Sequence, residues 1–130
     1  MEKSEKGQFN EHIRERTITM AVNIHELFIG LKVSLVTRPI VNQIIRSSSS
    51  VASNYRAATR SRSDAEFYSK ICIVVEEIDE TQFWLDYLKR INLLEETKVS
   101  ILFGEVNELV RLFTSIKSKM KEKLKVIDKP

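Results

Sequence analysis

Residues 63–91 read SDAEFYSKICIVVEEIDETQFWLDYLKRI, and this stretch decides the fold. Ser63 followed three residues later by Glu66 forms a capping box, in which hydroxyl and carboxylate each take an orphan backbone N–H at a helix start. Asp64 and Glu66 also suit the positive end of a helix dipole. Phe67, Ile71, Val74, Ile78, Leu85 and Leu88 then recur at helical spacing. The apolar run Ile71 to Val75 would pass for a strand in isolation. The length of the whole pattern, and the absence of flanking turn residues, predict a helix to about Ile91 instead.

The same period extends outward. Ile13, Met20, Ala21, Ile24, Leu27, Phe28 and Leu31 predict a first helix from about Asn10 to Lys32, with Gly30 marking a bend or an early end. After a connector from Ser34, Pro39 suits the first turn of a second helix. That helix carries Val41, Ile44, Ser48, Val51, Tyr55 and Ala58 and ends near Thr59 to Arg62. A short link, Asn92 to Glu96, leads to a fourth helix with Val99, Leu102, Val106, Leu109, Phe113, Ile116, Met120 and Leu124. Four amphipathic helices on short links predict an all-α, antiparallel up-down four-helix bundle. It occupies residues 1–130 as one domain, with a flexible leader over residues 1–9 and a loose tail over residues 126–130.

Composition agrees. Of 130 residues, 42% are apolar and 30% charged, which is globular rather than disordered. Three glycines and two prolines leave few places for tight turns, against a many-stranded fold. The single cysteine, Cys72, excludes an internal disulfide framework and a Cys-based zinc site, and its apolar neighbours point to a small buried side chain. The charged N-terminus leads into no apolar stretch, and no segment reaches the roughly 20 apolar residues that span a bilayer. A cytoplasmic protein with no membrane contact is the expectation.

The net charge of +3 is modest, but it is segregated. From Arg38 to Arg62 there are five arginines and no acid. From Asp64 to Asp86 there are seven acids and one lysine, and from Lys117 to Lys125 five lysines and one glutamate. On the second helix Arg46, Ser49, Ser53, Arg56 and Arg60 step by 3, 4, 3 and 4 residues, opposite the apolar stripe. Guanidiniums interleaved with small hydroxyls can fork onto phosphates. Such a face can also simply meet solvent, or admit a neighbouring helix closely. The third helix has a second stripe, Ile73, Glu77, Glu80, Trp84, Tyr87 and Ile91. A monomeric bundle needs one apolar stripe per helix, so the excess width predicts a subunit interface through Ile73, Glu77, Glu80, Trp84 and Tyr87. Neither His12 nor His25 follows a glutamate by three residues, against a di-iron centre; no metal, cofactor or catalytic residue is expected.

The run Arg46-Ser47-Ser48-Ser49-Ser50-Val51-Ala52-Ser53-Asn54-Tyr55-Arg56-Ala57-Ala58, followed by Ala65-Glu66-Phe67, Glu76-Glu77-Ile78-Asp79-Glu80-Thr81 and Phe83-Trp84-Leu85, resembles the bacterial "four helix bundle protein" family. That family was first noticed as reading frames in intervening sequences of large-subunit (23S) ribosomal RNA genes. Many members have glycine where this chain has Ser48 and Ala52, and Glu-Gly where it has Ala57-Ala58. The resemblance implies an up-down bundle assembling as a ring, a homopentamer. A related branch, the accessory variability determinant of diversity-generating retroelements, implies RNA or DNA and a reverse transcriptase as partners.

Charge and resemblance together predict a non-enzymatic homo-oligomer that binds nucleic acid through Arg46, Arg56, Arg60, Arg62, Lys119 and Lys123. The alternative is a structural or protein-interaction module whose charged faces serve assembly, with Arg46 and Arg56 held against Glu77 or Glu80.

Overall fold

The computed structural model describes residues 4–128, and these form four helices and no strand. They are α1 (Glu5–Glu26), α2 (Arg38–Ala58), α3 (Asp64–Arg90) and α4 (Glu96–Asp128). Each helix packs on its neighbours in the chain, and α4 closes against α1, which gives the expected antiparallel up-down bundle. The α2–α3 contact is the most extensive and the α1–α4 contact the sparsest. No helix among the described residues is long and apolar enough to cross a membrane.

The ends of the first helix depart from the sequence expectation. Ser4 accepts a hydrogen bond from the Gly7 N–H at 3.0 Å, and this cap starts α1 at Glu5, so residues 5–9 are helix rather than leader. Residues 1–3 lie outside the described residues. At the other end α1 stops at Glu26 rather than Lys32, and the chain turns through Leu27 to Gly30. Gly30 has φ +77°, a left-handed conformation that glycine takes without strain. The helix of α4 likewise runs on through Asp128, past the start of the expected loose tail, and residues 129–130 lie outside the described residues.

The other boundaries follow the sequence. Ser34 and Thr37 exchange backbone-to-hydroxyl hydrogen bonds at 3.1 and 3.2 Å, closing the connector, and Pro39 sits in the first turn of α2. Ser63 caps α3 by accepting from the Glu66 N–H at 3.1 Å. Beyond α3, Asn92 adopts φ +56° and reverses the chain toward α4.

The predicted stripes form the core. Val41, Ile44, Ser48, Val51, Tyr55 and Ala58 of α2 are all buried, as are Ile71, Val74, Ile78, Leu85 and Leu88 of α3. The Tyr55 ring lies 5.3 Å from that of Phe113 on α4, and its hydroxyl donates to Asn10 Oδ1 at 3.4 Å, tying α1, α2 and α4 together. Burial pushes the Tyr55 phenol up to about 12, with Arg14 nearby pulling the other way.

Between α2 and α3 the core turns small and polar. Ser47 and Thr81 are fully buried with their hydroxyl oxygens 2.9 Å apart. Thr81 Oγ1 also lies 2.8 Å from the Glu77 carbonyl, and Ser47 Oγ 3.3 Å from that of Ile44. Two protons thus find acceptors without any long side chain between the helices, which lets the backbones approach closely. Ser47→Leu should push them apart and remove the hydroxyl contact across the seam, leaving Thr81 bonded only to the Glu77 carbonyl of its own helix. Overpacking of this kind costs roughly 1–3 kcal/mol, and denaturant unfolding of the variant should show that loss.

Candidate nucleic-acid interface

Halfway along the bundle, Arg46 of α2 reaches across to α3. Its guanidinium donates to Glu80 Oε1 at 2.6 Å and to Glu77 Oε2 at 3.1 Å. The hydrogen bond from Arg46 holds the Glu80 carboxyl below its ordinary value; burial opposes this, and a bond from the Trp84 indole N–H at 3.3 Å assists. The same pairing with Glu80 raises the Arg46 guanidinium further. Arg46 is therefore already engaged by two carboxylates of its own chain.

The remaining basic candidates lie toward one end of the bundle on different flanks, with Arg56 and Arg60 beside the outer face of α2 and Lys119 beside Ser115 and Ser118 of α4. A hollow of about 260 Å³ at one end of the bundle is lined by Lys6 and Asn10 of α1, Thr59, Ser61 and Arg62 after α2, Phe67 of α3 and Met120 of α4. Lys123 pairs with Asp64 across this end at 3.1 Å. The antiparallel topology brings the C-terminal ends of α2 and α4 to the same side, so Arg60 and Arg62 share it with Lys119 and Lys123 despite their separation in sequence. Arg56 sits one turn further in, about 15 Å along α2 from Arg46 at 1.5 Å per residue. Among the described residues Arg56, Arg60, Arg62 and Lys119 are all exposed, and the ion pairs involve other side chains. Ser61 Oγ, in the hollow, is buried without a hydrogen-bond partner. This end of the bundle thus carries exposed cations on more than one flank, and guanidinium and ammonium groups left exposed in this way can meet phosphates.

The second stripe of α3 is spent partly within the chain. Ile73, Glu77, Glu80 and Trp84 are half-buried along the flank toward α2, the two acids holding Arg46 and Trp84 packing on the core. Of the five residues expected at a subunit interface, Tyr87 is the exposed one. Its neighbour Phe83, which the stripe did not include, is more exposed still, at 56%. Phe83, Trp84 and Tyr87 form one aromatic cluster, with centroids 4.9 to 6.2 Å apart. Cys72 is half-buried on the same helix rather than fully inside. A second surface had no signal in the main apolar stripes: Ile18 and Val22 of α1 stand exposed beside the small outer residues of α2. Their spacing of four, off the core stripe, was the available clue. Among the described residues no three His, Cys, Asp or Glu side chains converge as a metal site.

A family model described as "23S rRNA-intervening sequence protein" matches residues 10–115. Among solved structures, the chain is similar to a protein with unknown function from the S23 ribosomal protein family of Bacteroides thetaiotaomicron VPI-5482. The two are 25% identical and superpose with a TM-score of 0.72, over 84% of this chain and 97% of that one. No curated protein matches.

The Arg46 cluster makes a pH-dependent contribution of definite sign. Because Glu80 is depressed in the fold, its stabilisation is present above the unfolded value of about 4.3 and is lost as the pH falls through the lower folded value. The side chains of Arg46 and Glu80 are 48% and 34% exposed, so solvent screening limits the contribution to about 1 kcal/mol or less. Arg46→Ala should raise the Glu80 carboxyl in an NMR titration, and the small stability gap to the parent should close on acidification.

Proposed function

The chain belongs to the 23S rRNA-intervening sequence protein family, and from that footing we propose that it is a non-enzymatic, homo-oligomeric bundle that binds nucleic acid through its basic end. The observation that supports this most is the placement of Arg60, Arg62 and Lys119 toward the same end of the bundle, exposed and outside the ion pairs of the described residues. Cations left without carboxylates in a folded protein attract polyanions at long range and release counterions on contact. Arg46 drops out of the contact set because Glu77 and Glu80 already neutralise it. Lys123 contributes less than Lys119, since Asp64 holds it. Backbone contact of this kind reads phosphates rather than bases, so RNA and DNA are both substrates of the surface. The exposed Phe83 and Tyr87 supply the reason for self-association.

One observation favours the reading in which charged faces serve assembly alone: Arg46 is engaged by Glu77 and Glu80, as that reading requires. Arg56, however, has no such partner among the described residues.

Titration of labelled single-stranded and duplex RNA and DNA at several salt concentrations separates the two. Binding should weaken linearly on a log–log plot against salt. The triple variant Arg60→Ala/Arg62→Ala/Lys119→Ala should lose about 2 units of that slope, at roughly 0.7–0.9 per phosphate contact, while Arg46→Ala should leave it unchanged. No binding to any of these at low salt would exclude the nucleic-acid reading.

A further inference from the structure

The hollow at the end of the bundle holds more hydrogen-bond donors than the chain itself uses. Its volume is about 260 Å³, below the roughly 300–1,000 Å³ of pockets that enclose drug-sized ligands. Residues of α1, of the link between α2 and α3, and of α3 and α4 wall it on several sides. A recess of this size and shape admits one chemical group at the end of a ligand, not a strand lying along a surface.

Its walls suit an anion. Ser61 Oγ is buried there without a hydrogen-bond partner. Buried hydroxyls in folded proteins are almost always bonded, so an orphan beside a recess has its partner still to arrive. The first turn of α3 adds further donors. Ser63 Oγ already takes the Glu66 N–H, and the Ser63 carbonyl takes that of Phe67. The N–H groups of Asp64 and Ala65 carry no hydrogen bond among the described residues, and they sit at the positive end of a 27-residue helix. Lys6 and Arg62 line the recess, both exposed and outside the ion pairs of the described residues. Arg14 stands behind it, donating to Thr59 Oγ1 at 3.0 Å. Asp64 is the carboxylate on the wall, and Lys123 holds it at 3.1 Å.

We infer that this recess takes the terminal phosphate monoester of a nucleic-acid strand. A monoester carries a charge of about −1.5 to −2 and three strong acceptor oxygens, whereas a phosphate inside the strand carries a single charge. Three oxygens suit donors that come from different walls: the Arg62 guanidinium, the Lys6 ammonium, the Ser61 hydroxyl and the first turn of α3. The inference rests on the nucleic-acid reading of the basic end and adds to it a preference for strand ends. Arg60 and Lys119 meet phosphates along the strand, and the recess meets its terminus.

The test compares one short RNA in three forms, with a 5′-phosphate, with a 3′-phosphate and with hydroxyls at both ends. A form that ends in phosphate should bind at least about tenfold more tightly than the hydroxyl form, the value of one hydrogen bond to a charged group. The double variant Ser61→Ala/Arg62→Gln should bring this ratio close to 1, even though losing Arg62 weakens every form. Circular dichroism checks its helices, and Lys6→Gln replaces it if they are lost. Equal affinity of the three forms for the parent, or a preference that survives in the variant, overturns the inference and leaves the nucleic-acid reading standing. Failure of every form to bind at low salt overturns that reading and the inference with it. Inorganic phosphate serves as the second arm, followed through the Asp64 and Ala65 amide signals by NMR. If it moves them while the phosphorylated strands show no preference, the recess belongs to the free ion and the inference is overturned.

Discussion

The close approach of α2 to α3 is the constraint on which the rest of the structure depends. It is possible because Ser47, Ser48 and Thr81 are small and satisfy their own hydroxyls, so no bulky side chain separates the backbones. Arg46 fixes the register of the pair from outside by reaching Glu77 and Glu80. A half-exposed ion pair of this kind adds little stability, but a one-turn slip would separate all three groups. With α2 and α3 docked, α1 and α4 fill the remaining sides, and Tyr55 with Phe113 closes the centre.

The same economy of volume on α2 shapes the surface. Serine and alanine recur on both its inner and outer faces. Inside, they bring α3 close. Outside, they leave a trough beside Ile18 and Val22. One composition thus yields a tight internal seam and an open external hollow, and the difference lies in which helix is present to fill the space.

Charge is divided by the same packing. Acids in the middle of α3 and α4 meet Arg46 and Arg16: Arg16 reaches Glu105 at 2.8 Å, which braces the sparse α1–α4 seam. Toward the end of the bundle Lys123 meets Asp64, while Arg60, Arg62 and Lys119 stay exposed and outside the ion pairs of the described residues. A modest net charge of +3 therefore conceals a local basic surface.

The amino-acid sequence by itself determined the helices and their inward faces. The 3.6-residue period of Ile71 to Leu88, the Ser63 cap and Pro39 are local signals, and local signals survive into the fold because each acts within one turn of its own helix. Local signals are weak at the ends of α1: Ser4 caps the helix ahead of a charged, apolar-poor segment, and apolar residues continue to Leu31 past the stop at Glu26. Only the tertiary structure decided which charges remain free and which apolar residues remain bare. Arg46 and Arg56 lie about 80° apart on a helical wheel, an offset that does not say which of them meets an acid; Arg46 faces Glu77 and Glu80 across a neighbouring helix, and Arg56 is exposed. Trp84 and Phe83 are adjacent in the chain, yet one packs inward and the other stands out. Pairing and exposure depend on what lies alongside, and that is set by how four helices meet, which the period of any single helix does not contain.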